Sequence, residues 1–304
     1  MSAGIVLQQM MIIFILILTG YAACRKNIIP AGVSKGISAL VVNICNPAIL
    51  IRSVFTVDDT VTNEKILLAV LAGAVMYCIL LAVSWILPRC LKVEEKWKNH
   101  YAMMCLFGNT GFIGIPLTAA VLGDQAVIYV AVVNTYFNLI FYTYGIHLAD
   151  KENSHFSWKN FLNMGNLSIV VTLILFLLRP TIPEVLTSSI NYMADTTTFL
   201  AMVVIGISLA GSNLKEIFTE GKLYLFIVLR FLAVPVVIGM ILKLFVHDEN
   251  IYGVMVLMAA VPVANLPLMR VEETGGDGQM LSKGIILSTI LSLITIPLVV
   301  AFLC

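Results

Sequence analysis

Two stretches of the chain combine asparagine, glycine and proline in a way that suits the binding of an anion. They read Gly108-Asn-Thr-Gly-Phe-Ile-Gly-Ile-Pro116 and Val261-Pro-Val-Ala-Asn-Leu-Pro267, and both lie in apolar surroundings. Inside a helix, glycine costs about 1 kcal/mol and proline about 3 kcal/mol. We therefore expect the first helix to unwind over 109–115 and to restart at Pro116, and the second to restart at Pro267.

A helix that restarts inside a membrane directs its unpaired N–H groups and its positive end towards the break. Two such helices arriving from opposite sides would form an anion site without a fixed charge. Asn109 and Asn265 would add neutral amide donors. The candidate substrate site also includes Thr110, Gly111, Pro116 and Pro267. The alternative is that these prolines and glycines only kink packed helices, as is common in membrane proteins.

Other polar residues lie in two further apolar segments. Asn43 and Asn46 are three residues apart, so both would lie on one helix face, where they either line the substrate path or bond neighbouring helices. Asp195 precedes three threonines that begin at Thr196. A carboxylate beside hydroxyls could hold Na+ or H+, and these two residues are our candidates for ion coupling. Alternatively, Asp195 caps a helix at the outer interface.

Three more residues have open interpretations. Asn134 and Asn138 share a helix face at the spacing i, i+4, and we expect them mainly to pack helices together. Arg230 lies inside an apolar segment. Its side chain either extends to the cytoplasmic face or neutralises an acid.

The elements that hold these residues are predicted to be transmembrane helices. Of the 304 residues, 60% are hydrophobic and 12% charged, against about 25% charged in soluble domains. This composition excludes a water-soluble protein. A span needs roughly 20 apolar residues, and ten segments qualify: 4–24, 36–56, 65–88, 101–122, 126–148, 164–183, 187–211, 221–246, 250–271 and 281–303.

Ten spans divide into two sets of five with opposite topology, which is the pattern of an inverted repeat. Gly114-Ile-Pro-Leu117 and Asn265-Leu-Pro-Leu268 lie 151 residues apart, in the fourth and the ninth span. A match of four residues could also be a coincidence. We predict a first repeat at 1–148, a short connection at 149–163 and a second repeat at 164–304.

The charges predict an orientation and exclude several functions. Of the 18 lysines and arginines, 13 lie in the odd-numbered connections, which places these connections in the cytoplasm and both termini outside. The net charge of +1 excludes a nucleic-acid partner. The six cysteines lack the spacing of a zinc site, and no catalytic motif is present. We therefore expect no enzyme activity, no metal and no cofactor.

Several segments resemble the auxin efflux carrier family, in particular its bacterial members. The resemblance is carried by Asn109-Thr-Gly-Phe-Ile-Gly-Ile-Pro-Leu117, Asn46-Pro47, Ile205-Gly-Ile-Ser-Leu209 and Ser288-Thr289 with Leu293-Ile-Thr-Ile-Pro297. It extends along nearly the whole chain. Each motif alone is weak, whereas their order and spacing together are fairly specific.

The resemblance implies a fold and a site. The fold has ten helices in a five-plus-five inverted repeat, with a scaffold domain, a transport domain and broken helices four and nine that cross. It is similar to sodium/proton antiporter and bile-acid symporter folds. Asn109 would bind a substrate carboxylate, with Pro116 and Pro267 at the crossing. The connection 149–163 is short, whereas plant members carry a long cytoplasmic loop, so neither loop phosphorylation nor auxin as the substrate carries over directly.

We therefore predict a secondary transporter in the cytoplasmic membrane. It would move a small organic anion, such as malate, malonate or an auxin-like acid, by elevator-like alternating access. Its expected partners are this anion, membrane lipid, Na+ or H+ as candidate coupling ions, and a second copy in a candidate homodimer. One alternative is a sodium- or proton-coupled symporter or exchanger on the same scaffold. Another is a membrane receptor or sensor without flux.

Overall fold

A computed structural model of the chain describes residues 2–56, 61–149, 163–211 and 220–303. Within these ranges the chain is helical and forms no β-strand. The main helices are α1 Ala3–Arg25, α2 Ser34–Phe55, α3 Asn63–Cys90, α4 Lys98–Leu106, α5 Thr110–Leu122, α6 Asp124–Ala149, α7 Met164–Leu178, α8 Glu184–Ala210, α9 Gly221–Leu242, α10 Glu249–Ala260, α11 Leu266–Glu273 and α12 Gln279–Leu303.

The described helices are those of a multi-pass membrane protein. Seven of them are long and apolar enough to cross a membrane, namely α1, α2, α3, α6, α8, α9 and α12. Three apolar helices are shorter, namely α5, α7 and α10. The predicted all-helical membrane fold is thus confirmed. The ten-span inverted repeat stays a prediction.

The helices pack in two groups. The first contains α1, α2, α7 and α8, and the second contains α3 to α6 and α9 to α12. The groups meet mainly where α1 lies against α12 and α2 against α6. Within the first group, α1 and α8 approach closely at Gly20 and Gly206. A Cβ on Gly20 would lie 2.5 Å from the Val203 oxygen, and one on Gly206 would lie 2.2 Å from the Ile17 oxygen.

The start of α8 differs from the expected start of the seventh span. This helix begins at Glu184, directly after Pro183, whereas the sequence suggested 187. Asp195 therefore lies about three turns inside the helix. The alternative in which Asp195 caps the helix at the outer interface is wrong, because the N-cap residue is Pro183.

The start of α10 is held by Asp248. Its Oδ1 accepts hydrogen bonds from the N–H groups of Asn250 and Ile251, both at 3.0 Å, and its Oδ2 lies 2.8 Å from Lys65 Nζ on α3. Partial burial raises the pKa of this carboxyl. The bonds from Lys65 and the backbone outweigh that effect and hold the pKa below its usual value. One carboxylate thus caps α10 and anchors it to α3.

Candidate functional site

The breaks between α4 and α5 and between α10 and α11 lie side by side. Gly108 and Val263 form an isolated antiparallel bridge. The backbone hydrogen bonds run from Asn109 N to Pro262 O (2.6 Å) and from Ala264 N to Phe107 O (2.9 Å). Because unwound backbone inside a membrane must find partners within the protein, these bonds explain how both helices can break at one place. We call this place the crossing.

The crossing requires a residue without a side chain at position 108. A Cβ on Gly108 would lie 2.9 Å from Val261 Cγ2 and 3.3 Å from the Val261 oxygen. On the facing strand of backbone, Pro262 has no N–H to satisfy and offers only its carbonyl. Glycine and proline thus lie where the two backbone segments come closest.

The first helix restarts earlier than the sequence suggested. The unwound stretch expected at 109–115 is shorter in the structure, because helical backbone already begins at Thr110, as a π turn. Asn109 is its N-cap and accepts a hydrogen bond from Phe112 N at 3.0 Å. This π turn covers Thr110–Gly114 and leads into the regular α-helix, which begins at Ile115 and has Pro116 in its first turn, as expected. In the second helix, α11 begins at Leu266 and Pro267 occupies its first turn, as expected.

Four of the predicted site residues and one further asparagine meet on the α5 side of the crossing. Asn109 and Thr110 are 4% and 5% exposed. The Thr110 hydroxyl donates a 2.5 Å hydrogen bond to Asn134 Oδ1. Asn46 Nδ2 lies 3.4 Å from the position of a Cβ on Gly111, and Asn46 Oδ1 is buried without a hydrogen-bond partner in the structure. In this cluster the side chains of Asn109 and Thr110 already form hydrogen bonds within the protein, whereas the Asn46 amide oxygen has no partner.

Asn265 and Asn43 lie differently. Asn265 is half-buried at the N-cap of α11, and its side chain does not cap the helix. Asn43 is exposed and donates its amide to the Ala39 oxygen at 2.9 Å. A π turn at Val41–Cys45 includes Asn43 and ends just before Asn46, and Asn46 is less exposed than Asn43.

Sequence reasoning missed one residue of the crossing and undervalued another. The buried Ser288 on α12 accepts a 3.1 Å hydrogen bond from Val263 N and donates to the Ile285 oxygen. The sequence signal for Ser288 was the pair Ser288-Thr289 inside a run of apolar residues. Asn134, which we expected mainly to pack helices, binds Thr110 at the crossing, whereas Asn138 donates to Asn166 at 2.5 Å.

Arg230 adopts neither of the two arrangements expected for it. It lies in a π turn of α9 and is 1% exposed, so it does not extend to an interface. Its Nε donates to the Cys105 oxygen at 2.7 Å and its Nη1 to the Ala259 oxygen at 2.8 Å. These carbonyls belong to the last turns of α4 and α10. Arg230 thus binds backbone at both helix ends that precede the breaks.

Asp195, one of the two predicted ion-coupling residues, belongs to a separate charged cluster. Arg52 on α2 donates through Nη1 to Asp195 Oδ1 at 2.5 Å and through Nη2 to Asp124 Oδ1 at 3.0 Å. We call these three residues the Arg52 cluster. Asp195 is 68% exposed, and the Thr196 hydroxyl donates to the Met193 oxygen. Asp195 therefore already has a cationic partner, and the described residues contain no group of three acids, histidines or cysteines for a metal.

Similarity to known proteins extends over nearly the whole chain. The model of a family described as "Membrane transport protein" matches residues 5–160 and 151–300. An uncharacterized transporter of Methanothermobacter thermautotrophicus is 23% identical over 301 residues, which cover 96% of each chain. The uncharacterized transporter MJ1031 of Methanocaldococcus jannaschii is 24% identical over 304 residues, which cover 96% of this chain and 97% of that one. The chain therefore belongs to this membrane transport protein family, the auxin efflux carrier family, and is a transporter.

Proposed function

We propose that the protein is a secondary transporter of a small organic anion and that the anion binds at the crossing. One observation carries the proposal: two broken helices meet by backbone pairing, and the helix halves α5 and α11 begin there beside Asn46 and Asn109. The positive ends of these two halves favour a negative charge. The cytoplasmic membrane, with both termini outside, is the location that the cation distribution favours.

The side chains around the crossing suit a carboxylate. Asn109 and Asn265 carry amide donors, whereas the Thr110 hydroxyl already donates its proton to Asn134 Oδ1. The buried Asn46 Oδ1, which lacks a partner, would accept a bond from a hydroxyl or a protonated group of the same ligand. Malate, malonate or an auxin-like acid fits this set of donors and one acceptor, and the family resemblance supports the same class.

The packing of the helices supports a moving transport domain. The crossing lies in the group α3 to α6 and α9 to α12, whereas Asn46 comes from the group α1, α2, α7 and α8. A ligand at the crossing would therefore lie between the two groups. We infer that the first group is the scaffold and that the second carries the anion past it in an elevator-like step. The repeats 1–148 and 164–304, joined at 149–163, would give the domain its two equivalent breaks.

Ion coupling is the finer part of the proposal. Coupling to Na+ or H+ at Asp195 and Thr196 would require release of Asp195 from Arg52. Because this ion pair already compensates the carboxylate, we propose anion transport without an ion at that position. A homodimer in lipid is the assembly we propose for the scaffold group.

Reconstitution into proteoliposomes tests the function. Labelled malonate, L-malate and indole-3-acetate are offered separately, with protein-free liposomes as the control. We expect saturable uptake of at least one acid, inhibition by the others that bind, and recovery of the acid chemically unchanged inside the vesicle. Binding in detergent without flux would identify a receptor instead, and neither binding nor flux across the three acids would contradict the proposed substrate class.

A further inference from the structure

Four helix ends meet at the crossing, and they differ in sign. The C-terminal ends of α4 and α10 carry partial negative charge, and the N-terminal ends of α5 and α11 carry partial positive charge, each about half an elementary charge. Left alone, these four ends would nearly cancel. An anion would then find little net attraction at the crossing, whatever hydrogen-bond donors surround it.

Arg230 is placed to remove this cancellation. Its guanidinium donates to the Cys105 oxygen near the end of α4 and to the Ala259 oxygen near the end of α10. One guanidinium carries a full positive charge at all accessible pH values, which offsets about two negative helix ends. The positive ends of α5 and α11 then remain uncompensated.

The surroundings of Arg230 do not neutralise its positive charge. It is 1% exposed, so water does not screen it. Its Cζ lies 4.7 Å from the centre of the Phe231 ring, and among the described residues no acid forms an ion pair with it. A buried charge on a transmembrane helix is costly and calls for a compensating role. Here the compensation comes from backbone carbonyls of both broken helices.

We propose that Arg230 is the positioning residue that makes the crossing selective for anions. It joins the two negative helix ends, fixes the crossing geometry and gives the site its net positive potential, without touching the substrate. This inference rests on the proposed function. It predicts that loss of the charge lowers affinity for an acid far more than affinity for the uncharged amide of the same acid.

The test compares Arg230→Gln with the wild-type protein in detergent. Dissociation constants are measured for malonate and malonamide, and for indole-3-acetate and indole-3-acetamide. We expect binding of the acid to weaken by about tenfold or more in R230Q, with binding of the amide changed less than about twofold. An unchanged ratio of acid to amide affinity in folded R230Q would overturn the inference.

Two further variants separate charge from folding. Lys243→Gln is the matched control, because Lys243 Nζ also binds a carbonyl near a helix end, the Leu303 oxygen, but away from the crossing. K243Q should leave the ratio of acid to amide affinity unchanged. A fall of this ratio in K243Q as large as in R230Q would overturn the inference. If R230Q does not fold, Arg230→Lys is used instead. Lysine keeps the positive charge but cannot donate to both carbonyls as the guanidinium does. The ratio of acid to amide affinity in R230K should therefore stay within about threefold of the wild-type ratio, and a tenfold fall would overturn the inference.

The outcome distinguishes this inference from the proposed function. If the wild-type protein binds and moves none of the acids, the proposed substrate class fails. If it binds and moves an acid but R230Q shows the same ratio of acid to amide affinity, only the role of Arg230 fails.

Discussion

The crossing and the Arg52 cluster handle polar groups inside a membrane protein in opposite ways. The Arg52 cluster sets one cation between Asp124 and Asp195, so each charge has a partner and the cluster as a whole is negative. The crossing uses backbone groups, amides and hydroxyls, and its nearby cation binds carbonyls. A cluster with a net negative charge repels an anion. A set of donors with excess positive potential remains available to an anion, which is why we place the substrate at the crossing.

The largest effect should come from breaking the backbone contact at the crossing. In Gly108→Ala the new Cβ would lie 2.9 Å from the stiff Val261 side chain and 3.3 Å from its oxygen, so the two breaks must move apart. We expect uptake to fall by about tenfold or more and stability to fall by about 1–3 kcal/mol. Uptake is measured in proteoliposomes and stability by thermal unfolding in detergent.

Gly36→Ala is the control for this change. A Cβ on Gly36, in α2, would meet no atom within 4 Å. That variant should transport normally. Equal uptake by the two variants would contradict the close approach at Gly108.

A smaller effect should come from the support that α12 gives to the crossing. Ser288→Ala leaves the buried N–H of Val263 without its partner, at a cost of about 1–3 kcal/mol. The melting temperature should fall and uptake should fall several-fold. The buried Ser84 bonds only within its own helix, to the Leu81 oxygen, so Ser84→Ala should change both much less. If both variants melt at the same temperature, the bond to Val263 does not stabilise the crossing.

The smallest effect should come from the Arg52 cluster. Asp195 is 68% exposed, and an exposed ion pair is worth about 0.2–1 kcal/mol. Asp195→Asn should change uptake less than about threefold and leave its response to Na+ as in the wild-type protein. Uptake is measured with sodium or choline outside the vesicles. Sodium stimulation that disappears in D195N would assign ion coupling to Asp195 and reverse the comparison.

The difference between the two regions also explains what the sequence could predict. The crossing was located because Gly108, Pro262 and Pro267 are costly in a helix and therefore stand out in apolar segments. The restart at Thr110 was not predicted, since it depends on the cap that Asn109 provides. Local composition shows that a helix breaks, whereas the hydrogen bonds at the break determine the residue at which the helix restarts.

Hydrogen-bond partners on different helices could not be predicted from the sequence. The bonds of Ser288 to Val263 and of Arg230 to two helix ends join residues 25 to 125 positions apart. No local pattern encodes such distances. Helix positions, by contrast, follow from runs of apolar residues, and the first span expected at 4–24 is the helix Ala3–Arg25.

The central claim is that the anion binds at the crossing, and Asn109 tests it most directly. Because Asn109 also caps α5, the variant of choice is Asn109→Asp, which keeps an oxygen for Phe112 N but removes the amide donor and adds a negative charge. Asn138→Ala, at the bond to Asn166, is the control.

The measurement is the dissociation constant of the acid that the wild-type protein transports fastest. We predict that N109D folds and binds this acid about tenfold or more weakly, while N138A binds it as the wild-type protein does. Binding of the acid by folded N109D with wild-type affinity would contradict the account.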